Sequence, residues 1–222
     1  MIETSPPSIL PPSALPEVLP ILPLPGMLLL PRGRLPLNIF EPRYIDLIED
    51  ALGQGRLIGI IQPTMPEDKT PVPSLYRVGC AGRIVSFSET DDGRFLINLH
   101  GVCRFSVEDE LPLLRGYRRV KPGWQSYLGD VGPAEEAIFD RARLMNAMRH
   151  YFKANGIAAD WGAVQDTTGE MLVSSLAMIC PLEPSEKQAL VEAPDLATRA
   201  KLLTTLLEMA CLPQQDIDSA KH

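Results

Sequence analysis

The sequence predicts an α+β protein, with a small β-barrel or sandwich lobe followed by a lobe of packed helices. Between residues 34 and 121, apolar side chains alternate with polar ones in short runs separated by turn residues, which is typical of strands. From Pro133 onward the apolar period becomes helical. The change falls near Pro122-Gly123, so we expect the two lobes to meet between about residues 120 and 133.

The composition favours a water-soluble protein over a nucleic-acid or membrane protein. The 222 residues carry a net charge of -7, which repels phosphate backbones. The N-terminus has no basic region, and prolines interrupt its apolar stretch, so no export signal is predicted. No apolar run approaches the roughly 20 residues that span a bilayer. We therefore expect a cytoplasmic protein with no membrane partner.

The first part of the β-rich lobe contains one helix between strands. Residues 18–26 are apolar but studded with prolines, so we expect them not to lie centrally in a sheet. Residues 35–39 alternate as a strand, and Pro36 places it at an edge or a bulge. Pro42 suits the first position of a helix that Gly53 ends. Residues 57–61 follow as a buried strand.

The rest of this lobe is predicted to be strands joined by turns. Residues 63–74 are rich in proline and charge and indicate a polar, mobile loop. Asp92-Gly93 supplies a hairpin turn. The expected strands around these turns are 83–87, 95–99, 103–107 and 117–121, with Cys103, Phe105 and Val107 on one apolar face.

Four helices are predicted in the second lobe. The first carries a stripe of apolar residues and stops at Gly156: Ile138, Ala142, Met145, Met148 and Phe152. Asp166, Ser185 and Asp195 are candidate N-caps of the other three. The resulting organisation is a proline-rich arm at 1–17, disordered or extended, a β-barrel lobe with one helix at 18–122, a helical bundle at 123–212, and a polar tail at 213–222.

The sequence predicts no catalytic, cofactor-binding or metal-binding residue, and so no enzyme. There is no Walker A motif and no H-E-x-x-H or G-x-S-x-G motif. The four cysteines are scattered, which favours buried free thiols over a zinc site or disulfides. His100 is expected to be a solvated strand residue. Cys103 is expected to be buried and unreactive, and a nucleophilic pair of Cys103 with His150 is the weaker alternative. Asp46, Glu49 and Asp50 could bind a cation, but a solvated polar face explains them better.

A basic and aromatic segment at 115–127 offers an alternative function. Its arginines and lysine, with Tyr117, Trp124 and Tyr127, are residue types that bind and stack on single-stranded RNA. Against this, the chain is acidic overall, and strand alternation sends Arg118 and Arg119 to opposite faces. The competing interpretation is an edge strand protected by charge, with aromatics sealing the junction between the lobes.

Several segments, in order, resemble the N-terminal domain of Lon-type ATP-dependent proteases. Leu22-Pro23-Leu24-Pro25-Gly26 and residues 35–44 are similar to the opening of that domain. Later segments agree with it as well: Arg56 to Gly59, Tyr76 to Ile84, Asp92-Gly93, His100 to Arg104, and Glu186 to Glu192. The resemblance runs from about residue 18 to about 210.

The resemblance implies a barrel of the pseudouridine-synthase-associated (PUA-like) type, then helices, and a role in engaging protein substrates. We expect a free-standing, non-catalytic domain that binds exposed apolar or unfolded polypeptide segments, as an adaptor, with a separate ATP-dependent protease as a candidate partner. The candidate peptide-binding residues are Met65 and Pro66 on the proline-rich loop and Trp124 and Tyr127 at the junction. Ordinary packing is the competing interpretation of the last two.

Overall fold

The computed structural model describes residues 11–68, 70, 72–133 and 137–211. Residues 1–10 of the expected arm and the whole expected tail lie outside the described residues. The strands are β1 (Leu19–Pro23), β2 (Arg34–Ile39), β3 (Leu57–Ile61), β4 (Val78–Glu89), β5 (Phe95–Leu114) and β6 (Tyr117–Gly123). The helices are α1 (Pro42–Gly53), α2 (Arg141–Ala154), α3 (Trp161–Asp166), α4 (Gly169–Ile179), α5 (Pro184–Glu192) and α6 (Leu196–Ala210). Short 3-10 helices occupy Pro12–Ala14 and Gln125–Val131.

The strands form one mixed sheet in the order β2-β5-β4-β3-β1-β6. Strand β6 also pairs with β5, so hydrogen-bonded neighbours run in a closed cycle from β5 through β4, β3, β1 and β6 back to β5. Strand β2 stands outside that cycle and pairs with β5 alone among the described strands. This confirms the predicted α+β class and the edge position that Pro36 indicated.

Strand β1 contradicts the expectation that its prolines would keep it out of the sheet interior. It lies between β3, with which it is parallel, and β6, with which it is antiparallel. A strand residue points its N–H toward only one neighbour, so each proline removes a donor from one ladder only. Beyond Pro23 the parallel ladder continues, because the Leu24 N–H donates to the Ile61 carbonyl at 2.9 Å.

Strand β5 joins two runs that the sequence predicts as separate strands. Residues 95–99 and 103–107 belong to one strand of 20 residues. Its register against β4 shifts where Gly101 and Cys103 face Gly82 and Ala81, so Val102 is an extra residue that bends the strand. Glycine is required at 101, since a Cβ there would collide with the Leu30 carbonyl oxygen.

Five helices follow residue 137 in the described part of the chain, one more than predicted, and their boundaries differ from the prediction. Ile138 precedes α2 and is 98% exposed, and Ala142 is exposed too, so the predicted stripe is wrong at its start. The stripe that packs inward begins at Leu144. Asp166 ends the additional helix α3, whereas Thr168 is the N-cap of α4. Asp195 caps α6 as predicted, and its carboxylate accepts from the Thr198 N–H at 2.7 Å.

Three apolar clusters hold the fold together. Two lie within the strands and α1, around Leu47 and around Phe105. The third is formed mainly by helices α2 and α4 to α6, and it includes Leu28 and Leu30 from the segment between β1 and β2. None of the described helices is both long and apolar enough to cross a membrane.

Candidate recognition surface

Apolar side chains are exposed together where β2, β4 and β5 end at the β4–β5 hairpin. We call Phe40, Val85, Phe87 and Leu96 the apolar rim; their exposed fractions are 65%, 51%, 40% and 44%. The strand register places Leu96 opposite Asn38 on β2 and Ser88 on β4, whereas Phe87 is opposite Ile97 and so lies on the other face of the same end of the sheet. Phe40 follows two residues after Asn38, within diagonal reach of Leu96.

The local sequence explains why these side chains stay in solvent. Val85 is the extra residue of a bulge, since Ile84 faces Leu99 while Ser86 already faces Asn98. Phe87 stands at the open end of the sheet, where its ring meets that of Phe95 edge-on at a centroid distance of 4.8 Å. An apolar cluster of this kind on a soluble protein is characteristic of interaction sites.

The predicted site residues Trp124 and Tyr127 are half-buried and have partners within the chain. The Trp124 ring packs edge-on against Phe105 at 5.9 Å, and its indole N–H donates to the Pro16 carbonyl at 3.0 Å. The guanidinium of Arg104 lies over the Tyr127 ring, 4.7 Å from its centroid. Burial raises the pKa of the Tyr127 hydroxyl. Through these contacts, both rings pack against other parts of the same chain.

Met65 and Pro66, the other two predicted residues, are exposed on the loop between β3 and β4. The Met65 side chain is 51% exposed. The loop closes on itself through a bridge from Pro63 to Leu75 and is tied to β6, since Arg118 donates to the Pro73 carbonyl at 2.6 Å. It borders a groove of about 210 Å³ whose lining includes Leu24 and Tyr44. The described hydrogen bonds and ring contacts do not join this loop to Trp124 or Tyr127.

The arginines of the basic segment are engaged by the protein itself. Arg115 binds three carboxylates of α1, those of Asp46, Glu49 and Asp50, so these acidic residues anchor the β5–β6 hairpin. Arg118 is buried against Glu110 at 2.7 Å, and Arg119 donates to the Pro112 carbonyl at 3.0 Å. Nothing in the described residues favours RNA binding by this segment.

The sequence motifs of the resemblance meet at the contact between strands and helices. Arg104 is buried, and its Nε donates to Asp130 at 2.9 Å while Nη1 reaches the Val191 and Ala193 carbonyls at the end of α5. Lys187 donates to the Gly26 carbonyl at 2.9 Å, and burial lowers the pKa of its ammonium. We call Arg104, Lys187 and Gln188 the junction clamp; Gln188 donates to the Val78 carbonyl at 3.0 Å.

The remaining titratable candidates are placed in unreactive settings. Cys103 is buried in β5, where its thiol donates to the Tyr127 carbonyl and burial raises its pKa to about 12. His150 lies on the exposed side of α2, in a different part of the fold. His100 is half-buried, not fully solvated as expected, and burial with nearby Arg34 lowers its pKa. Within the described ranges, no group of His, Cys, Asp or Glu is arranged to hold a metal ion.

The apolar rim was missed at the sequence level, although its signal was present. Val85 and Phe87 fall at alternate positions of the predicted strand 83–87, and nothing in the alternation distinguishes a face in solvent from a face in the core. Phe40 directly follows the apolar Ile39 and so breaks the alternation of β2, in the short turn between the end of β2 and Pro42. Apolar residues at a strand end beside a turn were the available clue.

The protein-family model of the ATP-dependent protease La (LON) substrate-binding domain matches residues 18–209 of the chain. The chain belongs to this family. It is 28% identical over 207 residues to Lon protease 2 of Myxococcus xanthus, covering 91% of the chain and 25% of that protein. It is 29% identical over 211 residues to Lon protease 2 of Sorangium cellulosum, covering 91% and 26%. The chain thus spans about a quarter of the length of these relatives.

Solved structures of the family share the fold. A Lon N-terminal domain protein from Xanthomonas campestris superposes with a TM-score of 0.58 at 23% identity, covering 88% of this chain and 99% of that one. The N-terminal domain of a Mycobacterium avium complex Lon protease gives 0.54 at 13% identity, covering 86% and 97%. Of the segments that carry the resemblance, those with Arg104 and with Lys187 and Gln188 supply the junction clamp, and residues 35–44 include the rim residue Phe40.

Proposed function

We propose that this chain is a non-catalytic recognition module that binds exposed apolar or unfolded segments of other proteins. Membership of the Lon substrate-binding family supports a role in substrate recognition. The observation that carries the proposal is the apolar rim, four side chains left in solvent on adjoining strands. Two of the four are phenylalanines, which offer a large contact area with few rotatable bonds.

The chemistry of the rim suits clients of many sequences. Its apolar members alternate with small polar ones, and Asn98 donates to the Ser86 hydroxyl at 2.7 Å on the same outer face. None of these apolar and small polar side chains carries a charge that would select one client side chain. Because an unfolded client must be ordered on binding, we expect an affinity of roughly micromolar or weaker.

The sequence-predicted site extends the proposal to a second contact surface. Met65 and Pro66 are exposed and adaptable residues on the loop whose residues Pro63, Asp68 and Pro73 line the groove beside Tyr44. Trp124 and Tyr127 enter the proposal through their half-exposed edges only, since the rest of each ring is packed. We propose further that the module acts as an adaptor for a separate ATP-dependent protease.

The lobes and the barrel type belong to the same proposal. We propose that the closed cycle of five strands is a PUA-like barrel, with α1 covering part of its core. We propose further that the chain consists of two lobes, residues 18–122 and residues 123–212. The double pairing of β6 supports closure, and the separate helical cluster supports a second lobe.

The test is binding of a reduced, carboxymethylated model protein, which stays unfolded, to the full chain. Changing Phe40→Ser and Leu96→Ser together should weaken binding about tenfold, since two exposed apolar contacts are lost. The melting temperature should fall only modestly, because Phe40 is 65% exposed and Leu96 is 44% exposed. Met65→Ser measures the contribution of the loop.

Ile138→Ser is the matched control, because Ile138 is more exposed than any rim residue and lies on the helical side. It should bind like the unchanged chain. Equal loss in the control and the rim variant would show non-specific apolar adhesion. Binding that weakens steeply as the salt concentration rises would instead indicate electrostatic recognition, as expected of an RNA-binding module.

A further inference from the structure

We propose that the edge of β2 that none of the described strands covers binds its client by strand addition, so that an extended segment of the client pairs with the main chain of β2. The inference rests on the proposed function and deepens it, because it names how the apolar rim and the client are aligned. The occupant is an extended polypeptide with alternating apolar side chains.

The hydrogen bonds at the start of β2 show which residues face outward. Gly101 donates its N–H to the Gly33 carbonyl at 2.8 Å, so the Gly33 carbonyl points toward β5. The N–H and carbonyl of a strand residue share a side, and the side alternates along the chain. Leu35, Leu37 and Ile39 therefore pair with β5. Arg34, Pro36 and Asn38 present their main-chain groups to the open edge.

The position of Pro36 in β2 agrees with this assignment of inward-facing and outward-facing residues. Pro36 lacks an N–H, and it stands at a position whose N–H would have pointed away from β5. The open edge then offers two donors, from Arg34 and Asn38, and carbonyl acceptors from all three outward residues. The side chains of Arg34, Pro36 and Asn38 are exposed as well, so a strand can approach.

Two members of the apolar rim, Phe40 and Leu96, lie toward the face on which alternate side chains of an added strand would fall. A strand paired with β2 would run about 4.8 Å from it. Its outer-face side chains would then come beside Asn38 and toward Phe40, on the face that carries Leu96. Main-chain pairing would give affinity without sequence selection, and the rim would favour apolar residues at alternate positions.

The same proline argues against a second copy of the chain as the occupant. Two β2 strands paired with each other would place two donor-less prolines in one short ladder. Prolines on exposed edges are a known protection against such self-association. A client chain brings its own N–H groups, and these can bond the Pro36 carbonyl.

The experiment uses the full chain and a peptide of alternating valine and threonine with lysines at both ends. Two further peptides carry N-methyl groups on every valine or on every threonine. A one-residue shift would turn the apolar side chains to the wrong face, so the register is fixed by the rim. One methylated peptide should lose about tenfold in affinity, because the hydrogen bonds toward β2 are removed. The other should bind like the parent peptide.

Equal affinity of the two methylated peptides, whether retained or lost, would overturn strand addition. If binding then still depends on Phe40 and Leu96, the proposed recognition function stands without it. If no peptide and no unfolded protein binds, the proposed function itself fails.

Two readouts on the protein complete the test. The Arg34 and Asn38 amides should exchange hydrogen more slowly when the parent peptide is bound. Asn38→Pro, which deletes an outward N–H, should weaken binding about tenfold relative to Asn38→Ala, which keeps it. Unchanged amide exchange, or a chain that dimerises through β2 in sedimentation, would contradict the proposal. The amide hydrogen-exchange measurement uses the unchanged chain, so it tests the proposal even if Asn38→Pro does not fold.

Discussion

The contacts of Trp124 within the chain predict how much this side chain contributes to stability. Trp124→Ala should lower the free energy of unfolding by about 2–3 kcal/mol, less than the roughly 3–5 kcal/mol of a fully buried tryptophan. The ring contact with Phe105 and the indole bond to Pro16 are both lost. Trp124→Phe should recover most of the stability, because it keeps an aromatic ring. Urea unfolding measures both, and an unchanged midpoint in the alanine variant would show that Trp124 is a surface residue.

His100 should make stability depend on pH below neutrality. Its pKa in the folded chain lies below the ordinary 6.5, through burial and then the charges of Arg34 and Arg32. Between 6.5 and the folded pKa, the unfolded chain therefore binds more protons. Stability should fall as the pH drops through this window and then level off. Carboxylates with lowered pKa, such as Asp195, respond only below about pH 4.

The measurement is urea unfolding at pH 7.5 and pH 5.0 in the unchanged chain and in His100→Gln. Glutamine does not titrate, so the variant should lose part of the difference between the two pH values. An identical difference in both proteins would mean that other groups cause the whole pH dependence.

At the scale of elements, Gly101 decides whether β5 can be continuous. Gly101→Ala should cost about 1–3 kcal/mol or more, because the added methyl meets the Leu30 carbonyl and backbone cannot yield as a side chain does. Gly129→Ala is the matched control, since no atom lies within 4 Å of its Cβ position. The control should change stability by less than about 0.5 kcal/mol. Thermal unfolding of both variants gives the comparison, and equal melting temperatures would count against the collision.

The sequence predicted elements well where local chemistry dominates and less well where long-range packing does. The alternation in β2, the all-apolar run of β3 and the Asp195 cap are local signals, and the structure confirms each. The central place of β1 and the fusion of two runs into β5 depend on partners far along the chain. Period counting also extended α2 back to Ile138, although nothing packs that residue.

At the scale of the whole molecule, the segments of the family resemblance and the apolar rim overlap only at Phe40, within residues 35–44. The motif residues Arg104, Lys187 and Gln188 are polar side chains buried between strands and helices, where each satisfies main-chain carbonyls. They fix how the parts of the fold meet. The other three rim residues, Val85, Phe87 and Leu96, lie outside those segments, and a surface that accepts many clients requires exposure and shape more than particular residues. The sequence could therefore indicate the family, but not the surface.

The junction clamp should make the strands and helices unfold together. Trp124 packs among the strands, and Trp161 contacts Phe152 in the helical cluster, with ring centroids 6.1 Å apart. Single-tryptophan chains made by Trp161→Phe or Trp124→Phe therefore report each part by fluorescence. Far-UV circular dichroism of each chain gives its global midpoint. In each chain the fluorescence and dichroism midpoints in urea should coincide, as two-state unfolding requires.

Arg104→Met should separate those midpoints. The change leaves Asp130 and the carbonyls at the end of α5 without their buried partner, a loss of about 3–5 kcal/mol. Because that loss falls at the contact between strands and helices, one part can then unfold before the other. Arg94→Met is the control, since its pair with Asp92 is exposed and is worth about 0–1 kcal/mol. Coincident midpoints in Arg104→Met would show that the apolar contacts of Leu28 and Leu30 suffice to couple the two parts.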